Sequence, residues 1–317
     1  MLFRSETGSL SVAQAGVTIL GIYVADLAFR AGRQPEMGET IMGSSFAMGP
    51  GGKGSNQTVA AARAGAAVTF ITKLGKDNFG DAALAMYARE GVKALAPQDP
   101  NVSTGAAYIF VQDGTGSNAI IVVPGAAGTI TVADVEANAD AIRGAKVFMT
   151  QLEQPIPAAM RALEIAKAAG VITIFNPAPA ATVDDSIYQL CDYVTPNESE
   201  ASMLTGVTVT DVDSARKAAE VLIAKGAGAA LITLGGQGSL LHTKNISVHI
   251  PIFNVGKVVD TTGAGDAFNG GFAAALARGE TPEAAARFGS ATAGISVTRM
   301  GTAPSMPYLK ETLALLE

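Results

Sequence analysis

Two carboxylates, Asp260 and Asp266, flank the glycine-rich turn Gly263-Ala264-Gly265, and that turn opens into an apolar, helix-like run over 267–276. Backbone N–H groups at a helix start lack internal partners and sit at the positive end of the helix dipole. Small residues at 263–265 let an anion approach that backbone closely. Asp266, on the first helical turn, then lies beside the bound anion. Such a carboxylate can take a proton from a hydroxyl while the N–H groups stabilise charge on a phosphoryl group in transfer. Taken alone, the segment reads more readily as a turn whose Asp only complements the dipole. The rest of the chain has to decide.

Apolar runs rich in β-branched residues predict strands at 17–22, 68–71, 147–152, 171–175, 193–195 and 230–234. Helices are predicted over 55–65, 77–90, 157–169 and 213–225, with Gly65, Gly91, Gly170 and Gly226 as their stop signals. Alternating helices and near-continuously apolar strands imply an α/β fold with a mainly parallel sheet covered on both faces. Five strands run out to Asp26, Glu153, Asn176, Asn197 and the pair Gly235-Gly236. Ligands of open parallel sheets bind outside the carboxyl ends of the strands, so these exits suggest one shared crevice. Two pieces break the alternation. The runs 106–111 and 119–123 flank Asp113-Gly114-Thr115-Gly116-Ser117, a hairpin signal, and 28–48 carries no helical period. They are expected to pair into a small separate sheet, either a lid or two ordinary surface excursions.

The 317 residues, 48% of them hydrophobic, suffice for one large α/β domain, read here as 16–317 after a polar extension over 1–15. That extension has no apolar signal-like core, and no apolar run approaches a membrane span, so neither secretion nor a membrane partner is expected. The single cysteine, Cys191, excludes an internal disulfide framework and fits a reducing cytoplasm. A net charge of −6 without any Lys/Arg cluster argues against a nucleic-acid partner. One Cys and two His, His242 and His249 in a strand-like stretch, leave a typical structural zinc site out of reach. No G-x-S-x-G elbow supports a serine hydrolase.

Gly49-Pro50-Gly51-Gly52-Lys53-Gly54-Ser55-Asn56 fails as a P-loop, because Gly54 follows Lys53 where Ser or Thr belongs and Ala47 replaces the first glycine. The dinucleotide pattern G-x-G-x-x-G fails as well. Gln57 closes the series begun by Gly52 and Gly54, and Phe268 that begun by Gly263 and Gly265, which weakens a nicotinamide oxidoreductase. What remains suits a neutral polyol: glycines for close approach, a charge on Lys53, and a donor and acceptor on Asn56.

Assembled, these pieces make the chain resemble the ribokinase-type sugar kinases of the phosphofructokinase B superfamily. Both signatures are present, at 51–56 and 260–271. Between them lie Gln151-Leu152-Glu153, Asn176-Pro177-Ala178-Pro179-Ala180, Thr195-Pro196-Asn197-Glu198-Ser199-Glu200 and Thr233-Leu234-Gly235-Gly236-Gln237-Gly238, and 297–305 closes the series. The likeness spans roughly 16–307 in order, far more specific than any single motif.

The resemblance implies a ribokinase-like three-layer α/β/α fold with a mainly parallel central sheet. It also implies a small β lid over approximately 28–48 and 105–125, often shared between two subunits, hence a homodimer. The implied reaction moves the γ-phosphate of Mg-ATP to the terminal hydroxyl of a pentose, D-ribose at O5 first. Alternatives are a kinase of 2-deoxyribose, a ketohexose or a nucleoside, or a sugar-binding regulator without turnover. Asp266 becomes the catalytic base, and Gly263, Ala264 and Gly265 the anion hole. Asp26, Gly52, Lys53, Asn56 and Glu153 hold the sugar. Asn197, Thr233, Gly235, Gly238 and Asn269 contact or support the nucleotide, and Glu200 organises Mg²⁺ through water. Asp260, Thr262, Ser296, Arg299, Gly301 and Ser305 match the K⁺ loop, several through backbone carbonyls. There are two departures: Val24 stands where Asn is usual, two residues before Asp26, and Ser290 where His is frequent.

Overall fold

The structure, a computed structural model, describes residues 16–317. The extension over 1–15 lies outside the described residues. The main sheet has nine strands, in the spatial order Ser247–Ile250, Ser239–Thr243, Ala229–Thr233, Tyr193–Val194, Ile172–Phe175, Val147–Thr150, Gly16–Leu20, Ala67–Ile71 and Lys93–Leu95. From Ala229–Thr233 to Lys93–Leu95 all neighbours are parallel, and the first two strands add on antiparallel.

The sheet is apolar on both faces because side chains alternate between two cores. Val17 and Ile19 enter one core and Leu20 the other; Met149 opposes Phe148, and Leu231 opposes Ile232. Helices Lys53–Arg63, Asn78–Arg89, Ala264–Ala277 and Pro282–Ser296 cover the first face, and Ile156–Ala168 and Val212–Ala224 help to cover the second. The result is three layers, α/β/α. All four predicted helices form, and each stop glycine has positive φ two residues beyond its helix. Lys93–Leu95 is not among the predicted strands, and the stretch around His242 and His249, read only as strand-like, proves to be the antiparallel hairpin 239–250. They lie at the sheet's edges, where short or polar-interrupted strands leave no long apolar run. His242 and His249 belong to that hairpin.

From Gly16–Leu20 the chain builds outward to Ala67–Ile71 and Lys93–Leu95, then restarts on the opposite side at Val147–Thr150. The strand order therefore reverses between Gly16–Leu20 and Val147–Thr150, where Gly21 and Gln151 leave the sheet. Open α/β sheets form their ligand crevice at such a point.

A second sheet has the order Ser45–Gly51, Val24–Ala31, Thr104–Gln112, Asn118–Gly125. The last two strands form the expected hairpin, and Val24–Ala31 joins them in parallel. The first ladder ends at Leu20, and a new strand begins at Val24. Asp26 consequently stands inside the small sheet, opposite Gly49, rather than in a loop at the exit of the first strand. Among the described residues, no helix is long and apolar enough to cross a membrane.

Candidate active site

Two helices meet over the switch point. Lys53–Arg63 starts from Gly52 at φ 88°, where a Cβ would come within 2.5 Å of the Ile22 carbonyl oxygen. Ala264–Ala277 starts from Gly263 in the left-handed conformation, φ 79°. They pack at glycine range: a Cβ on Gly270 would lie 2.7 Å from the Gln57 carbonyl oxygen and would overlap Ala60. This closeness brings the first turn of the second helix against Asn56 and Gln57.

Asp266, on that turn, is buried. Its Oδ2 accepts from Asn56 Nδ2 and its Oδ1 from Gln57 Nε2, both at 3.0 Å. The Ala264 N–H turns back to the Thr261 carbonyl at 3.2 Å. The N–H groups of Gly265 and Asp266 start the helix without an intrahelical partner, as an anion cradle requires.

Burial raises the Asp266 pKa, while Lys53, Asn56 and Gln57 pull it back. Burial, with the charge of Asp266, pushes Asp26 up to about 6. Glu153 is pushed up to about 7, again by burial, although the Lys53 ammonium opposes it. Glu153 Oε2 also accepts the Lys53 backbone N–H at 2.7 Å. Burial alone would lower Lys53, but Asp266, Glu153 and Glu200 outweigh it and hold the ammonium above its ordinary value. The expected sugar-side residues Asp26, Gly52, Lys53, Asn56 and Glu153 thus converge around Asp266. Their carboxyls outnumber their one ammonium.

On the other side of the glycine turn lies a cavity of about 610 Å³, lined by Asn197, Thr233, Gly235 and Gly238 and reaching Ala264 and Gly265. Ser290 lines it too, with its hydroxyl donated to the Pro251 carbonyl at 3.1 Å. Asn269 does not line it. That side chain is buried behind the turn, accepting from Thr195 Oγ1 at 2.7 Å and donating to the Gly265 carbonyl at 2.9 Å.

Asn197 and Glu200 form a capping box for the helix Glu198–Thr205. Asn197 Oδ1 accepts from the Glu200 N–H at 2.8 Å, and Glu200 Oε2 from the Asn197 N–H at 2.9 Å. Burial raises the Glu200 pKa. Asp260 ties two loops together: Oδ1 accepts from the Thr262 N–H at 2.9 Å and Oδ2 from the Gly301 N–H at 3.0 Å. Burial would raise its pKa, but these hydrogen bonds outweigh burial and leave it below the ordinary value. Ser296 donates to the Ala293 carbonyl at 2.9 Å and Ser305 to the Thr302 carbonyl at 2.7 Å. The Arg299 guanidinium pairs with Glu311, which leaves only its backbone carbonyl for the expected cation loop.

Sequence reading missed Gln57 and gave Gln151 no role. Gln57 Nε2 also donates to Asn176 Oδ1 at 3.0 Å, and Gln57 Oε1 accepts from Gln151 Nε2 at 2.6 Å. Asn176 Nδ2 in turn donates to the Thr195 carbonyl at 2.7 Å. A signal existed: Gln57 falls on the helical stripe of Ala60, Ala61 and Ala64, and a polar residue on an apolar stripe needs a buried partner.

Residues 14–309 match the pfkB family of carbohydrate kinases. The chain belongs to that family. It is 40% identical over 302 residues to the ribokinase of Haemophilus influenzae, covering 95% of this chain and 98% of the relative. It is 35% identical over 297 residues to the deoxyribokinase of Salmonella typhimurium, covering 93% and 96%. Among solved structures, Arabidopsis thaliana ribokinase complexed with ribose and ATP matches with a TM-score of 0.87 at 30% identity, covering 96% and 99% of the two chains. Ribokinase of Thermotoga maritima matches at 0.86 and 34%, covering 95% and 98%.

Proposed function

We propose that this kinase transfers the γ-phosphate of ATP to the terminal hydroxyl of a pentose, D-ribose yielding D-ribose 5-phosphate. One observation carries the reading: the buried Asp266 stands at a helix N-terminus between a cluster of carboxyl, ammonium and amide groups and a cavity of nucleotide size. Asp266 accepts the proton of the acceptor hydroxyl as that oxygen bonds to phosphorus and the bond to the ADP oxygen breaks. The Gly265 and Asp266 N–H groups, with Gly263 and Ala264 shaping the turn, stabilise charge on the phosphoryl oxygens. Asp26 and Glu153 accept from sugar hydroxyls, Lys53 donates, and Gly52 allows close approach. Asn56 Oδ1 is buried without a partner among the described residues, an acceptor ready for another hydroxyl. A binder without turnover has no use for a base so placed.

Asn197, Thr233, Gly235 and Gly238 hold the nucleotide, and Asn269 braces the turn. The donors suit hard cations. Glu200, a buried carboxyl near excess negative charge, would hold Mg²⁺ through water, since Mg²⁺ needs few protein ligands beside phosphate oxygens. Asp260, Thr262, Ser296, Arg299, Gly301 and Ser305 offer only carboxylate, hydroxyl and carbonyl oxygens, which fits K⁺. Bound, the two cations supply positive charge beside the phosphates.

A second reading is 2-deoxyribose. Val24 is buried, shares a strand face with Asp26 and offers no hydrogen bond to a hydroxyl. Residues 16–317 are read as one kinase domain whose small sheet acts as a lid. Its exposed apolar side chains, among them Phe29, Phe46, Ile121 and Val123, support a homodimer through the lid. A monomer by sedimentation at micromolar concentration would remove that part. The free, buried Cys191 is compatible with action in a reducing cytoplasm. The direct test is ADP release over pentoses, deoxypentoses, ketohexoses and nucleosides with Mg²⁺ and K⁺. The highest kcat/KM is expected with ribose or 2-deoxyribose; no sugar-dependent release from folded protein would sink the proposal.

A further inference from the structure

We infer that Gln57, locked by Gln151 and Asn176, is a positioning residue that fixes the plane of the Asp266 carboxylate for proton transfer. The inference rests on Asp266 being the base. Gln57 joins three partners through one buried amide: Nε2 bridges Asp266 Oδ1 and Asn176 Oδ1, and Oε1 accepts from Gln151 Nε2. None of the four side chains is exposed.

The direction of this ladder follows from charge. An ionised carboxylate only accepts, so the Gln57 amide must turn Nε2 towards Asp266. Its Oε1 then faces Gln151, which must present Nε2 in turn. The Gln151 Oε1 is consequently driven away from the network and is left buried without a hydrogen-bond partner among the described residues. It lies in the contact between Gly21 and Gly54, where a Cβ on Gly21 would come within 2.5 Å of it and one on Gly54 within 2.9 Å. An unpartnered buried oxygen is costly, and here it is retained at the far end of a ladder whose near end is the base. Gly21 and Gly54 make room for it.

Four elements meet at this amide: the helix Lys53–Arg63, the exits of strands Val147–Thr150 and Ile172–Phe175, and the helix Ala264–Ala277. Gln57 thereby registers the base against the sheet edge where the sugar binds. Asn56 constrains the other oxygen, so the two amides together leave the carboxylate one orientation. Proton transfer depends on that orientation, because a base must lie within hydrogen-bond reach of the proton it removes.

The test measures sugar kcat and KM and the pH profile of kcat/KM for Gln57→Leu, Gln57→Glu and Gln151→Leu. Other charged groups facing Asp266 are Lys53, Asp26, Glu153 and Glu200, and none of them is altered. Expected for Gln57→Leu is a fall in kcat of about 10–100-fold with KM changed less, as for a lost transition-state alignment. Its acid limb should move to higher pH, because the ionised base loses a donor. Gln57→Glu should move that limb further, since two carboxyls would share the site. Gln151→Leu should give the same pattern more weakly. Melting temperature and ATP binding verify the fold; should Gln57→Leu not fold, Gln151→Leu carries the decision. A kcat loss without movement of the acid limb in folded variants, or an unchanged kcat, would overturn the inference. An Asp266→Asn control separates the two ideas: turnover retained there removes the base itself, whereas turnover lost there with Gln57 variants unaffected removes only the positioning role.

Discussion

Asn56 Nδ2 lies 3.0 Å from Asp266 Oδ2 across 210 residues of chain, so a side-chain hydrogen bond joins the two signature segments. The same amide keeps its oxygen buried and unpartnered. Asn56 is therefore placed to touch base and sugar at once. Asn56→Ala should lower kcat and raise the sugar KM together, reducing kcat/KM about 10–100-fold, the scale of one buried polar group left unmatched. Steady-state kinetics with varied sugar decide; a change confined to the ATP KM would contradict this placement.

Burial raises Asp26 to about 6 and Glu153 to about 7, so the folded, sugar-free protein binds protons that the unfolded chain releases at lower pH. Their contribution to stability is complete below the unfolded carboxyl range, near pH 4, and is lost as pH rises through 6 to 7. Each unit of difference corresponds to about 1.4 kcal/mol. The sugar-free protein should melt higher at pH 5.5 than at pH 8, and Glu153→Gln should flatten that slope. Scanning calorimetry at matched ionic strength measures it. A slope of opposite sign that Glu153→Gln leaves intact would refute the assignment.

Asp260 joins the loop before the anion cradle to Gly301 through both carboxylate oxygens. If K⁺ binds there, turnover should rise with K⁺ over Na⁺ at constant ionic strength, and Asp260→Ala should abolish the difference. Equal rates in both salts, with potassium rigorously excluded, would remove the cation loop from the account.

Val24 presents methyl groups on the strand face it shares with Asp26. Val24→Asn should raise kcat/KM for ribose relative to 2-deoxyribose by up to about tenfold, the worth of one hydrogen bond. An unaltered ratio in the two-sugar assay would place discrimination elsewhere in the pocket.

The helices at 53–63 and 264–277 were legible because glycine turns, first-turn polar residues and apolar stripes are local signals. The parallel sheet was legible for the same reason, its strands being apolar on both faces. Asp26 reads in the sequence only as the exit of the first strand, because pairing of Val24–Ala31 with Ser45–Gly51 is a non-local choice. In the sequence Gln57 stands out only because it spoils a dinucleotide pattern. Its role depends on partners 94, 119 and 209 residues away, which no local spacing encodes. The Asn197–Glu200 spacing was legible as a motif, yet the structure adds that it caps a helix.

The most direct test is Asp266→Asn, an almost isosteric change that removes the proton acceptor, with the melting temperature verifying the fold. With sugar binding measured by calorimetry and turnover by ADP release, the account predicts near-native affinity and a kcat lower by roughly 10²–10⁴-fold. Turnover close to that of the unmodified protein would contradict it.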